Sequence, residues 1–110
     1  MITFKRLGAS RPANTSNATL YTVPALTTTY LKSLAICNTT TSDATCRVFL
    51  VPSGGTTDQT TSILYDYIIT ANQSVFLSGI DHILEAAGTI QVQTGTGSAL
   101  TFTASGQQIT

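Results

Sequence analysis

Charged side chains are scarce in this chain of 110 residues, which has five Lys or Arg and five Asp or Glu. They make up 9% of the sequence, whereas ordinary soluble domains contain about 25%. A protein that binds a polyanion needs clustered Lys and Arg to neutralise phosphates, but the formal net charge here is zero. We therefore expect no nucleic acid among its partners.

Long apolar runs are missing as well, and stretches such as Val48–Pro52 fall far short of the ~20 residues that cross a bilayer. No basic stretch followed by an apolar one opens the chain, which predicts neither a signal peptide nor a membrane partner. One His and two Cys are too few for a closed zinc site, and the acidic residues lack the spacing of a calcium loop. We expect no metal or other cofactor.

Threonine is the abundant residue, with 22 copies in the 110 positions. Its β-branched side chain suits a pleated strand and weakens a helix. Charge on exposed strands normally keeps sheet edges from pairing with other molecules, and this chain has little charge to use in that way. We infer that much of the surface is covered by other protein in the working state.

Short apolar-alternating runs separated by turn signals predict an all-β, antiparallel β-sandwich, jelly-roll-like or Ig-like, with about seven or eight short strands. Residues 62–69 also fit a helical period, although their Tyr, Ile and Thr content favours a strand. The predicted strands are 20–23, 28–37, 45–51, 62–69, 74–77, 83–84, 89–94 and 100–105.

The first 18 residues show no sustained periodicity and contain Lys5, Arg6 and Arg11, three of the five basic residues. They are predicted to form an extended N-terminal arm, followed by a sandwich domain over residues 19–110. Such an arm could lie across a neighbouring subunit, where arginines form charge-assisted bonds to carboxylates.

Catalysis has little support. His82 is the only histidine, and its neighbour Asp81 would point to the opposite face of a strand. No Gly-x-Ser-x-Gly turn accompanies them, so His82 is interpreted as a loop residue without a catalytic role, and no enzyme activity is expected. Phe102 and Phe76 are assigned to the core. Phe4, Tyr30 and Phe49 are candidate intermolecular contacts, with burial of Phe49 on a two-sided strand as the alternative.

Cys37 and Cys46 are the only cysteines, and they would face each other if strands 28–37 and 45–51 formed a hairpin. A disulfide is then geometrically feasible. A chain without a secretory signal stays in a reducing cytosol, so free thiols are the favoured prediction.

Five segments occur in a familiar order: Leu20–Pro24 (LYTVP), Lys32–Asn38 (KSLAICN), Val48–Gly55 (VFLVPSGG), Ile69–Ser74 (ITANQS) and Ala104–Gly106 (ASG). In this order they resemble segments of small virion-associated proteins of tailed bacteriophages, from about residue 20 onward. The chain departs from that pattern at Ala87–Thr89, where the phage proteins often have an acidic turn. The resemblance implies a β-sandwich that assembles symmetrically on a virion, and it implies no catalytic residues.

We therefore expect a non-enzymatic structural protein of a phage virion, made in the host cytoplasm and most specifically a capsid decoration or cement subunit. Its expected partners are other copies of itself, with a trimer among the open symmetries, and the major capsid protein or other virion proteins. A tail, neck or baseplate protein is the first alternative. A module that binds host glycans through Thr, Asn and Tyr loops is the second.

Overall fold

The computed structural model describes all 110 residues as eight β-strands and a short 3₁₀ turn at Gln59–Thr61. None of its segments is a helix long and apolar enough to cross a membrane. The strands are β1 (Ile2–Ser10), β2 (Ala18–Thr22), β3 (Thr28–Asn38), β4 (Ala44–Val51), β5 (Ser62–Ile69), β6 (Ser74–Leu84), β7 (Thr89–Thr94) and β8 (Leu100–Ile109).

The strands form two antiparallel sheets of four. Sheet A has the order β1-β8-β3-β6 and sheet B the order β2-β7-β4-β5. Each strand of the first half pairs with its mirror in the second half, so that β1 pairs with β8, β2 with β7, β3 with β6 and β4 with β5. This nested pairing defines a jelly roll. The predicted all-β antiparallel sandwich of eight strands is confirmed, including the strand at residues 62–69.

The core lies between the sheets and is built from alternate residues of the central strands. In β3, Leu31, Leu34 and Ile36 are buried, and in β8 Phe102 is fully buried, as predicted. Phe76 was also expected in the core, but it is 76% exposed. Its register partner is Ala35, on the solvent side of β3, so Phe76 points away from sheet B.

The predicted N-terminal arm is wrong for residues 2–10, because they form the edge strand β1. This strand pairs with β8 from Ile2 opposite Ile109 to Ser10 opposite Phe102. Leu7 sits at a bulge and joins the core. Strand β2 begins at Ala18, one residue before the predicted start of the sandwich domain. An edge strand buries little of either face, which explains why β1 shows no apolar alternation.

Two further expectations need correction. Residues 74–77 and 83–84 belong to one strand, β6, interrupted by a bulge in which Gly79 and Asp81 have positive φ. Strands β3 and β4 do not form a hairpin: β3 lies in sheet A and β4 in sheet B. The segment that joins them crosses from one sheet to the other, so Cys37 and Cys46 are not register partners.

Candidate interaction surface

The outer surface of sheet A brings two of the predicted contact residues to one level. Phe4 on β1 is opposite Gln107 on β8, and Gln107 is opposite Tyr30 on β3, which in turn is opposite Ile83 on β6. Opposed residues of an antiparallel sheet project from the same face. Phe4, Tyr30 and Ile83 therefore form one row across all four strands.

Apolar exposure is concentrated on this row and near it. Phe4 is 76% exposed, Ile83 62% and Phe76 76%, and Ile2 and Ile109 form an exposed pair at the end of β1 and β8. Phe76 lies two rows away on the same side of the sheet. We call this surface the sheet A face: Phe4, Tyr30, Phe76, Ile83 and Gln107. Clustered large apolar side chains on a surface mark a site of association.

Sequence reasoning missed Phe76 and Ile83 as surface residues. The signal that could have placed them was the register of β6, which changes at the bulge between Ser78 and His82. Three residues there stand opposite Lys32 alone, so the period of two is interrupted. The alternation of apolar residues in the sequence therefore predicts two separate short strands, 74–77 and 83–84.

The basic residues of the N-terminal segment are exposed and have no ion-pair partner. Lys5 and Arg6 belong to β1, at the edge of sheet A. Arg11 follows the strand, and its Nη2 donates to Thr39 Oγ1 at 3.4 Å. The only two ion pairs in the structure are Lys32–Asp81 and Arg47–Asp66. Three cations thus remain without a carboxylate on this part of the chain.

Phe49 is not available for intermolecular contact, because only 3% of it is exposed. Its partners in the sheet are Gln91 and Ser62, on the outer side of sheet B, and it is absent from the core cluster between the sheets. Val48, on the other face of β4, is also buried. Strand β4 is therefore buried on both faces at this point, as the alternative prediction of a two-sided strand requires.

Each of the two ion pairs has its carboxylate on an edge strand: Asp81 on β6 and Asp66 on β5. On β6, Asp81 accepts from Lys32 Nζ at 2.9 Å, and Lys32 lies 4.7 Å from the ring centre of Tyr30. On β5, Asp66 accepts from Arg47 Nε at 2.7 Å. Hydrogen bonding to the carboxylate raises the pKa of Lys32, and the Arg47 hydrogen bonds lower the pKa of Asp66. The paired carboxylates therefore lie on open sheet edges, where charge discourages pairing with other molecules.

A groove runs between β5, an edge strand of sheet B, and β6, an edge strand of sheet A. Its apolar lining comes from partly buried side chains of both strands, including Ile63 and Leu64 on β5 and Leu77 and Ile80 on β6. It continues past His82 to Glu85, where it is bordered by Thr60 and Thr61 of the β4–β5 segment. We call this feature the β5–β6 groove.

A smaller polar depression of about 260 Å³ lies on the other sheet. Arg47 and Asp66 form part of its wall with Thr45, Gln93 and Thr15. Most of these groups are already bonded within the chain: Arg47 to Asp66, and Gln93 Nε2 to the Thr15 carbonyl at 2.9 Å. The depression therefore offers a limited number of free donors and acceptors to a ligand.

His82 lies in strand β6 rather than in a loop, and it is exposed. The carboxylate of the adjacent Asp81 is bound to Lys32. No three side chains of the His, Cys, Asp and Glu types lie together in a way that could hold a metal ion.

The two cysteines are free thiols. Cys46 is buried in β4, and this burial raises the pKa of its thiol to about 12. Cys37 is partly exposed on the outer side of sheet A, opposite Ser74 and Thr101. The two side chains belong to different sheets, so the sequence-based hairpin geometry for a bridge does not exist.

The fold and the surface define a jelly-roll domain with a clustered apolar face. No protein-family model matches the sequence, and comparison with curated proteins also gives no match. Solved structures do match. A chain in the structure of infectious bursal disease virus, Gx strain, aligns with 98% of this chain at a TM-score of 0.52 and 13% identity.

Two related structures give similar values. The Gt strain of the same virus aligns with 98% of the chain at a TM-score of 0.48 and 11% identity, and its VP2 subviral particle with 98% at 0.46 and 12%. The chain spans only about a third of these proteins, 31%, 30% and 31% of their lengths. At such low identity the similarity to the Gx-strain chain shows that the two share a fold.

Proposed function

We propose that this protein is a non-enzymatic structural component of a virus particle, specifically a decoration or cement subunit on the capsid of a tailed phage. In this function it binds the major capsid protein through the sheet A face. It stabilises the particle by surface burial repeated over many copies and catalyses no reaction.

The sheet A face is the observation that carries this proposal. Phe4, Phe76 and Ile83 are each more than half exposed on a single face of a domain this small. Aromatic and aliphatic anchors at the centre of a contact supply most of the binding energy in protein interfaces. The row also contains Gln107 and Tyr30, whose polar groups suit the wetter part of an interface.

Two further observations support a virion location. The fold is shared with a chain in the structure of infectious bursal disease virus, Gx strain, of which this chain covers 31%. The five segments that resemble phage virion proteins lie mainly in β2, β3, β4 and β8 and in the turns after β4 and β5. They contain none of the five residues of the sheet A face.

Co-sedimentation with empty capsids of the parent phage tests the proposal. The wild-type chain is expected to pellet with capsids, and Phe76→Ser to pellet weakly while remaining folded. Thr41→Ser, at an exposed position in the segment between β3 and β4 and outside the sheet A face, serves as the control and should pellet like wild type. A folded wild-type chain that stays in the supernatant at every concentration would contradict capsid binding.

A tail, neck or baseplate location predicts the same face but a different partner, so purified tails replace capsids in that arm of the experiment.

A glycan-binding module is favoured by one feature, the polar depression beside Arg47 and Asp66 with the exposed ring of Tyr65 stacked on Arg47. This alternative predicts that the free protein binds isolated glycans and that Asp66→Asn weakens that binding.

A further inference from the structure

Four of the six charged side chains outside the two ion pairs lie on opposite sides of the sandwich. The other two, Arg11 and Asp43, are near the β3–β4 segment, where Arg11 donates to Thr39 Oγ1 and Asp43 Oδ1 accepts from the Ala71 amide. The two ion pairs contain four of the charged residues: Lys32 with Asp81, and Arg47 with Asp66. Among the remaining charged residues, Lys5 and Arg6 lie on β1, and β1 is one edge of sheet A. Strand β6 is the other edge of that sheet, and Glu85 directly follows it.

The acidic side also contains Asp58, in the β4–β5 segment whose Thr60 and Thr61 border the β5–β6 groove. Hydrogen bonds from Thr60 and Thr56 lower the pKa of Asp58, so this carboxylate stays ionised. Glu85 itself lines the groove. The groove therefore has one carboxylate, Glu85, in its lining and a second, Asp58, in the segment that borders it, whereas the β1 side has two unpaired positive charges.

The two sides also match in their apolar residues. Beside Lys5 and Arg6, strand β1 exposes Ile2, which pairs with the exposed Ile109 of β8. The β5–β6 groove offers partly buried apolar side chains as a floor. A projecting apolar edge with cations thus complements an apolar groove with anions, which is the arrangement that steers and orients a specific contact.

We propose that copies of this chain associate head to tail, with the β1 edge of one copy seated in the β5–β6 groove of the next. The contact is made by side chains, because the bulges at Asp66 and Asp81 interrupt both groove strands and oppose continuous backbone pairing. Two different surfaces of each copy meet, so the association is heterologous and builds rings or open chains. This inference rests on the proposed function in one respect only, namely that the assembly of copies would cover a virion.

Mixing two variants tests this geometry directly. Lys5→Glu/Arg6→Glu disables the β1 side, and Glu85→Lys disables the groove side. Each variant alone is expected to self-associate roughly tenfold or more weakly than wild type, because like charges then meet at the contact. Mixed together, they should associate again, since the intact groove of the first accepts the intact β1 edge of the second and the two altered surfaces carry charges of opposite sign.

Sedimentation-velocity masses at low and high salt provide the readout, and circular dichroism confirms that each variant is folded. Arg11→Glu makes the same charge change outside β1 and should associate like wild type. If the mixture stays monomeric, or if Glu85→Lys associates as well as wild type, the head-to-tail contact is wrong. A monomeric wild-type chain that still pellets with capsids would overturn this inference and leave the proposed function standing.

Discussion

Arg47 and Asp66 form a two-point ion pair across the edge of sheet B: Nε donates to Oδ1 at 2.7 Å and Nη2 to Oδ2 at 3.3 Å. Asp66 has φ 54° at a bulge of β5, and Arg47 stacks at 4.0 Å on the ring of Tyr65. Sheet A repeats the arrangement with Asp81, also at φ 54°, and Lys32. Bulged edges with inward-facing charge resist pairing with other molecules.

Asp66→Asn is expected to lower stability slightly, and the loss should depend on pH. Asparagine tolerates the positive φ but cannot form the ion pair. The folded-state pKa of Asp66 is lowered, so its stabilising effect is present above the ordinary value of about 3.9 and is lost as the pH falls through the lower folded value. Urea midpoints of both proteins should differ at pH 6 and converge as the pH is lowered below the ordinary carboxyl value of about 3.9. A difference that persists at the acidic end would contradict a role for the ion pair.

Phe49 and Phe76 offer a matched pair of truncations that separates folding from association. Phe49→Ala removes a side chain that is 3% exposed and should cost about 3–5 kcal/mol in the free energy of unfolding. Phe76→Ala removes one that is 76% exposed and should change stability by less than about 0.5 kcal/mol.

Urea denaturation of the isolated protein measures both values, and partner binding is scored separately. Phe76→Ala is expected to weaken partner binding although its fold is intact. The reverse pattern, a stable Phe49→Ala and an unfolded Phe76→Ala, would mean that the register assigned to β4 and β6 is wrong.

Removal of residues 1–10 is expected to destabilise the domain. Strand β1 supplies all the backbone partners on one side of β8, and Leu7 contributes to the core. Burial of Leu7 alone is worth about 1.5–3 kcal/mol. Thermal unfolding of the truncated chain and of Leu7→Ala separates the strand from the side chain. An unchanged melting temperature after truncation would restore the loose arm that the sequence predicted.

Asn38 is buried and makes four hydrogen bonds where the chain crosses between the sheets. Its Nδ2 donates to the carbonyls of Ser42 and Ile69, both at 2.9 Å, and its Oδ1 accepts from the amide and hydroxyl of Thr40. Asn38→Ala leaves these groups without partners and should cost about 2–4 kcal/mol. Asn17→Ala, at an exposed position, is the control, and equal urea midpoints for the two variants would refute the assignment.

The cysteines should differ sharply in reactivity. Cys46 has a pKa of about 12 because it is buried, so little of its thiolate exists at pH 8, whereas Cys37 is partly exposed. Iodoacetamide is expected to label Cys37 alone in the folded protein and both residues in urea. A reducing agent should leave the melting temperature unchanged, and a drop of several degrees would indicate a Cys37–Cys46 bridge.

Local alternation was sufficient to predict the central strands, because β3, β7 and β8 bury one face each and expose the other. Phe102 was assigned to the core for this reason. The pattern could not reveal β1, where only Leu7 is buried. It also could not reveal that β3 and β4 belong to different sheets, since the sheet to which a strand belongs depends on long-range pairing.

Two members of the sheet A face are also predicted contacts in the sequence. Phe4 and Tyr30 were chosen from the sequence, and the structure places them on one row of the sheet A face. Ile83 completes that row, but its position depends on the bulge at Gly79–Asp81, which shifts the register of β6. Phe49 stays ambiguous in the sequence because the alternation of β4 does not show whether the face opposite Val48 is covered, and in the structure both residues are buried.

The stability of the capsid is the most direct measure of a cement function. Empty capsids of the parent phage would be heated with increasing amounts of the purified chain, and their rupture temperature followed by light scattering. A rise that saturates at a fixed number of copies per capsid, and that is much smaller with Phe76→Ser, is the expected result. Capsids that rupture at the same temperature with and without the saturating protein would contradict the proposed function.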